Sequence, residues 1–296
     1  MIKNTKICVF CGQPGNTREH IIPRWLQKHF ALKDERLQMQ NKTSIQYCRV
    51  LLPACKRCNG EIFSRLESKV RDNKANAQEY YLWALKIRYC LSLIDSSLPD
   101  DRSNPSDGPI LRSEFATIGH EFIKHAFTHL EGEKFFFRPY PFGSVFIIKN
   151  PIRDSKFGLV DVSHPYWALT IALPNDRLLC VLFTDRGMVK KSIEKRYKSV
   201  GGFSAFLKNS DREISTGLYL QELTFKLLIA QYQISNIPYD VKLKSDGLYS
   251  KKLPNKIRYR QQLKENVLAQ IADFCGLPVE VATHVYKSQP ESYRGL

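Results

Sequence analysis

Two short cysteine pairs constrain this chain more than any other feature: Cys8-Val9-Phe10-Cys11 and Cys55-Lys56-Arg57-Cys58. A Cys-x-x-Cys tetrapeptide closes a tight turn that points two thiolates at one ion. Two such turns supply the four soft ligands of a closed, tetrahedral zinc site. Two unrelated pairs of buried or redox cysteines are the competing reading. Eight cysteines in a short secreted chain would suggest disulfides. This chain has 296 residues, and its opening MIKNTKICVFCG contains no apolar secretory stretch. Metal ligation in a reducing, cytoplasmic setting is therefore expected. Cys48 lacks the spacing to replace a member of either pair. Cys90, Cys180 and Cys275 lie in apolar stretches and read as packing residues.

The cysteine pairs sit in the N-terminal quarter, which carries over half of the chain's excess positive charge. Formal net charge is +16, and residues 1–75 hold 15 Lys/Arg against 6 Asp/Glu. Such a balance suits a polyanionic partner, nucleic acid or an acidic membrane surface. The sequence contains no run of 18 apolar residues, so no membrane span is expected.

Periodicity divides the rest. Ile62, Phe63, Leu66 and Val70 fall on one helix face. The polar RDNKANAQE from residue 71 either ends the first domain or forms the solvated side of a continuing helix. YYLWALKIRYCLSLI (80–94) reads as a buried helix, and DSSLPDDRSNPSDGP (95–109) as a loop. A helix is expected over 111–131, and one or two strands broken by prolines over 134–150. A hairpin turning at Pro174-Asn175-Asp176 is expected over 167–185. Further helices are expected near 189, over 218–234 and over 261–275. The fold class is α+β, with residues 1–75 as one domain and 76–296 as a second, mixed α+β domain.

Between the cysteine pairs lie 43 residues, more than a minimal zinc ribbon needs, and Glu19-His20 stands near their start. Cutting a phosphodiester requires a base for water, a cation for the phosphate charge and leaving oxygen, and positive surface for the strand. Hard cations such as magnesium take oxygen ligands. Glu19 offers a carboxylate, Asn59 an amide oxygen, and His20 could take the proton. If 17–22 is extended, Glu19 and His20 point to opposite faces. Asn59 directly follows the last cysteine, where helix N-capping is its competing role. Glu67 could reach the same cation or pair with Arg71 four residues on. Arg18 and Arg24 flank the motif and could bind phosphate.

The order Cys-x-x-Cys, Glu19-His20, Cys-x-x-Cys-Asn59 resembles the HNH, or ββα-metal, endonucleases, nearest to the branch like phage endonuclease VII in which four cysteines bind a bracing zinc. EHIIPRWL and CNGEIFSRLE are also similar to bacterial HNH proteins encoded beside restriction or antiphage genes. The resemblance covers residues 6 to about 75. It implies a zinc-braced ββα module and a metal-dependent hydrolase of DNA. It also implies structural zinc on Cys8, Cys11, Cys55 and Cys58, His20 as general base, and Glu19 with Asn59 on a catalytic Mg²⁺ or other divalent ion. A role in antiphage defence with a protein partner is implied as well. The sequence departs from the family in three ways, one of them Asn59, which stands where many HNH proteins have histidine. Glu19 stands where Asp is commoner. Val50 and Leu51 stand where an asparagine often orients the base, leaving Asn41 or a backbone carbonyl for that task.

A non-catalytic zinc ribbon that binds nucleic acid or a partner protein is the alternative reading. Elsewhere, VKLKSDGLYSKKLPNKIRYR (241–260) mixes Lys251, Lys252, Arg258 and Arg260 with Tyr249 and Tyr259. This composition suits phosphate contacts with base stacking, or a solvated loop. His120 and His125 are five apart, where a helical His-Glu-x-x-His zinc motif needs four; His125 and His129 have that spacing but no well-placed acid, so the three read as a helix face.

Overall fold

The computed structural model describes residues 6–111, 136–138, 143–152, 154, 156–163, 166–196, 214–234, 241–244, 247–250 and 263–289. It is mixed α+β and divides into two compact units. One takes residues 1–136 with 243–248, and the other residues 137–242 with 249–296.

In the first unit, β1 (Thr17–His20) pairs antiparallel with β4 (Leu51–Ala54), placing Thr17 opposite Ala54 and His20 opposite Leu51. Helix α1 (Arg24–His29) and the pair β2 (Arg36–Gln38) with β3 (Ser44–Gln46) fill the excursion between them. A π-helical turn, Arg57–Phe63, follows β4 and continues as α2 (Ser64–Arg71). Of the face expected from periodicity, Phe63, Leu66 and Val70 are buried.

The polar stretch after Arg71 is a sharp break. Asn73 adopts a left-handed φ of 57°. Asn76 then caps α3 (Ala77–Asp95) through a reciprocal capping box with Glu79. The boundary expected after residue 75 falls between two helices of one unit. α3 is buried on nearly every side because it packs back on the N-terminal segment. Tyr89 donates its hydroxyl to the Val9 carbonyl at 2.6 Å, and Phe10 lies between the rings of Phe63 and Tyr89, at 4.5 and 5.9 Å.

Beyond α3, β5 (Phe136–Arg138) and β6 (Ser144–Lys149) fall within the region expected to hold broken strands. The second unit is built on an antiparallel sheet of order β6–β9–β8–β7, with β7 at Leu159–Val162. β8 (Ala168–Leu173) and β9 (Arg177–Leu182) form the expected hairpin, and Asn175 and Asp176 take left-handed φ at its tip. Every residue of β8 is buried, so both faces of the sheet are covered there. Helix α4 (Met188–Arg196) packs by β6, and α5 (Thr216–Gln233) by β7 and β8. Strands β10 (Val241–Lys244) and β11 (Gly247–Ser250) pair within the basic stretch. Helices α6 (Glu265–Phe274) and α7 (Val279–Lys287) pack on each other and on α5. No helix among the described residues is long and apolar enough to cross a membrane. The helix expected over 111–131, with His120, His125 and His129, lies almost wholly outside the described residues.

The charge that holds the second unit's β6–α4 corner is Asp185. It is fully buried and accepts from Ser144 N–H (2.7 Å), Ser144 Oγ–H (2.5 Å), Gly187 N–H (3.3 Å) and Val189 N–H (2.9 Å). These four donors replace the water that burial removed. Asp185→Ala strands them, so the unfolding free energy read from urea denaturation by circular dichroism should fall by about 3 kcal/mol.

Candidate functional site

The site begins at the cysteine turns. Cys8 N–H donates to the Gln13 carbonyl at 2.7 Å, and Gly12 N–H, at a φ of 77°, to the Cys8 carbonyl at 2.9 Å. Gly15 passes so close to this turn that a Cβ there would stand 3.0 Å from the Cys8 nitrogen. In the second turn Cys58 N–H points at the Cys55 sulfur from 3.4 Å. Val9 N–H joins the two turns by donating to the Pro53 carbonyl at 3.1 Å.

All four sulfurs lie within 4.8 Å of one another, and those of Cys11 and Cys55 are 3.6 Å apart. A tetrahedron of sulfurs about zinc has edges of about 3.8 Å, given zinc–sulfur bonds of about 2.3 Å. The cluster is therefore compatible with a structural zinc. Hydrogen bonding from Cys58 pulls the Cys8 thiol down to about 4, while burial pushes Cys11 up.

The pairing of β1 with β4 carries this geometry to the Glu-His motif. Thr17 lies at the cysteine end of the ladder and His20 at the far end. The helical segment starting at Arg57 packs against β1. Asn59 donates its amide to Thr17 Oγ (3.1 Å) and to the Arg18 carbonyl (3.2 Å). Asn59 is thus not an N-cap: it lies inside the π-helical turn and ties it to β1.

Glu19 and His20 alternate across the strand as extended geometry requires. Glu19 is 4% exposed, and its Oε1 lies 2.5 Å from Nζ of Lys86, which α3 supplies. The same ammonium reaches Glu67 Oε1 at 2.5 Å and stands 5.1 Å from the centre of the Phe63 ring. Glu67 therefore pairs with Lys86 rather than Arg71, whose guanidinium goes to Asp72. Burial pushes the Glu19 carboxyl up against the pull of Lys86. Burial also acts to lower Lys86, but Glu67 and Glu19 outweigh it and hold the lysine as an ammonium.

His20 is half-buried, and Arg24 Nε–H donates to its Nε2 at 3.4 Å. Burial and then the Arg24 charge lower its basicity, so it is neutral at pH 7. Arg18 and Arg24 are exposed beside it. Asn41, a candidate to orient His20, instead donates to the Pro99 carbonyl and accepts from Thr43 N–H. Lys251, Lys252, Arg258 and Arg260 lie outside the described residues.

For a divalent cation the donor chemistry fits in part. Among the described residues, Glu19 Oε2 and the Asn59 amide oxygen carry no hydrogen bond, and both are hard oxygen donors. The charge of Glu19, however, is already shared with Lys86. Sequence reasoning missed that lysine. Its signal was a single cation inside the apolar run YYLWALKI, which must find a counter-ion when the helix is buried. Compared with known proteins, the chain matches no family model, no curated protein and no solved structure.

Metal analysis of purified protein should find one zinc per chain. Cys55→Ser should lose it and unfold the first unit, because structural zinc contributes folding energy directly.

Proposed function

We propose that the first unit is a zinc-braced HNH-type endonuclease module that hydrolyses DNA. The observation that carries this reading is the bond from Asn59 to Thr17 and Arg18. It ties the residue after the last cysteine to the strand bearing Glu19 and His20, so three motifs scattered over 50 residues meet on one antiparallel pair and its following helix.

In this reading His20, neutral and half-exposed, removes the proton from the attacking water. Arg18 and Arg24, exposed beside it, hold the phosphate. Glu19 and Asn59 would hold a divalent ion, which when bound supplies charge stabilisation to the phosphate and the leaving oxygen. Zinc on the four cysteines keeps the helix seated on the strand. The basic charge of the chain favours a nucleic-acid partner. Antiphage defence with a protein partner rests on the family resemblance alone.

One observation favours a second reading. Glu19 is buried and paired with Lys86, as a purely structural carboxylate would be. A non-catalytic zinc-ribbon module that binds nucleic acid or a partner would need no more.

Supercoiled plasmid distinguishes the two. With Mg²⁺ or Mn²⁺ the wild-type protein should nick or linearise it, and EDTA should stop the reaction. His20→Ala should slow it at least about 100-fold with zinc content and circular dichroism unchanged. Intact plasmid in every metal would favour the binding module.

A further inference from the structure

Lys86 is a costly residue for its position. It is fully buried in a helix whose neighbours Trp83, Leu85, Ile87 and Cys90 are buried as well. A buried ion cluster is often no more stable than well-packed apolar residues of similar volume. Stability alone therefore gives α3 little reason to carry a lysine there. The ammonium nevertheless reaches two carboxylates from two other elements, Glu19 on β1 and Glu67 on α2, at 2.5 Å each. Their Oε1 atoms consequently lie within about 5 Å of each other. At that separation, away from water, two carboxylates repel unless a cation lies between them.

We infer that Lys86 is a positioning residue of the proposed nuclease: its ammonium gathers Glu19 and Glu67 and thereby fixes the end of β1 from which His20 projects. This rests on the nuclease reading above. Lys86 is 0% exposed, so it reaches no DNA and no attacking water; it acts through the carboxylates. Glu19 immediately precedes His20, where β1 ends; past the last ladder pair, His20 with Leu51, the backbone keeps one further tie, from Ile21 N–H to the Val50 carbonyl at 3.1 Å. The ion cluster adds a side-chain hold on the buried face of the same strand end. The Phe63 ring on another side of the ammonium limits where it can move. The cluster also differs from a simple staple in being graded outward. The Lys86 side chain is 0% exposed, that of Glu19 6% and that of Glu67 19%, so the cation is held at the closed end of the cluster.

The test uses the full chain, its zinc content measured, with turnover on supercoiled plasmid in Mg²⁺. Lys86→Gln keeps an amide donor and removes the charge. It should lower kcat about 100-fold, the scale of an ångström-level misplacement, with KM for DNA little changed. Lys86→Gln combined with Glu67→Gln removes the repulsion along with the charge. It should fold at least as well as the single variant and cut no more slowly, because the two residues act as one unit. Lys86→Arg, which keeps the charge, should recover part of kcat.

Wild-type kcat in a folded, zinc-loaded Lys86→Gln protein would overturn the inference and leave the nuclease intact. Were that variant not to fold, the double variant gives the same reading: depressed kcat supports the inference and wild-type kcat overturns it. Wild-type protein inert in every metal would instead overturn the nuclease reading and the inference with it.

Discussion

Four sulfur atoms drawn from either side of a 43-residue excursion are the constraint on which the first unit depends. Its strands are three or four residues long, and α1 has six. Elements of that length do not persist in water unaided. Joining Cys8 and Cys11 to Cys55 and Cys58 brings β1 beside β4 and starts the helical segment at a fixed point on β1. A zinc ion bound by the four thiolates would contribute about 10–16 kcal/mol, judged by zinc-finger peptides at neutral pH. With that ion bound, the remaining contacts would have only to refine an arrangement set by the cross-link. α3 does so from outside the excursion, with Tyr89 against the first cysteine turn and Lys86 beneath β1.

Buried charge in the two units follows one rule with different partners. Asp185 is satisfied by neutral donors, two from Ser144 and two backbone N–H groups at the start of α4. Its role ends at holding that corner together. Glu19 and Glu67 are satisfied by a single ammonium that belongs to a third element. Removing one member leaves uncompensated charge, which typically costs about 3–5 kcal/mol. In the proposed nuclease, a cluster with that penalty beside the Glu-His motif would help fix the strand end. Catalysis of the proposed kind is sensitive to misplacement on the ångström scale.

Much of this was legible in the sequence because it rests on local rules. The cysteine spacing announced the four-sulfur cluster. The apolar runs on either side of Pro174-Asn175-Asp176 announced the β8–β9 hairpin. The alternation of Glu19 and His20 across an extended segment also holds. The failures are long-range. A domain boundary drawn after residue 75 rested on a polar stretch, but that stretch is a turn between helices that pack together, and no local pattern reports packing. The pairing of Glu67 with Arg71 followed helix spacing, yet a buried lysine nineteen residues further on draws the carboxylate more strongly than an exposed arginine. N-capping, the role that competed with metal ligation at Asn59, falls away because the helical segment begins two residues earlier, in a π-helical winding that sequence pattern does not signal.

The central claim is that the strand end bearing Glu19 and His20 is where a phosphate is cut. Its most direct test is a crystal structure of the protein with a short DNA duplex and Ca²⁺, which binds oxygen donors and holds the complex before cleavage. The account predicts a backbone phosphate beside His20, within reach of Arg18 and Arg24, above an intact Glu19–Lys86–Glu67 cluster. DNA seated elsewhere on the first unit, with His20 remote from every phosphate, would contradict it.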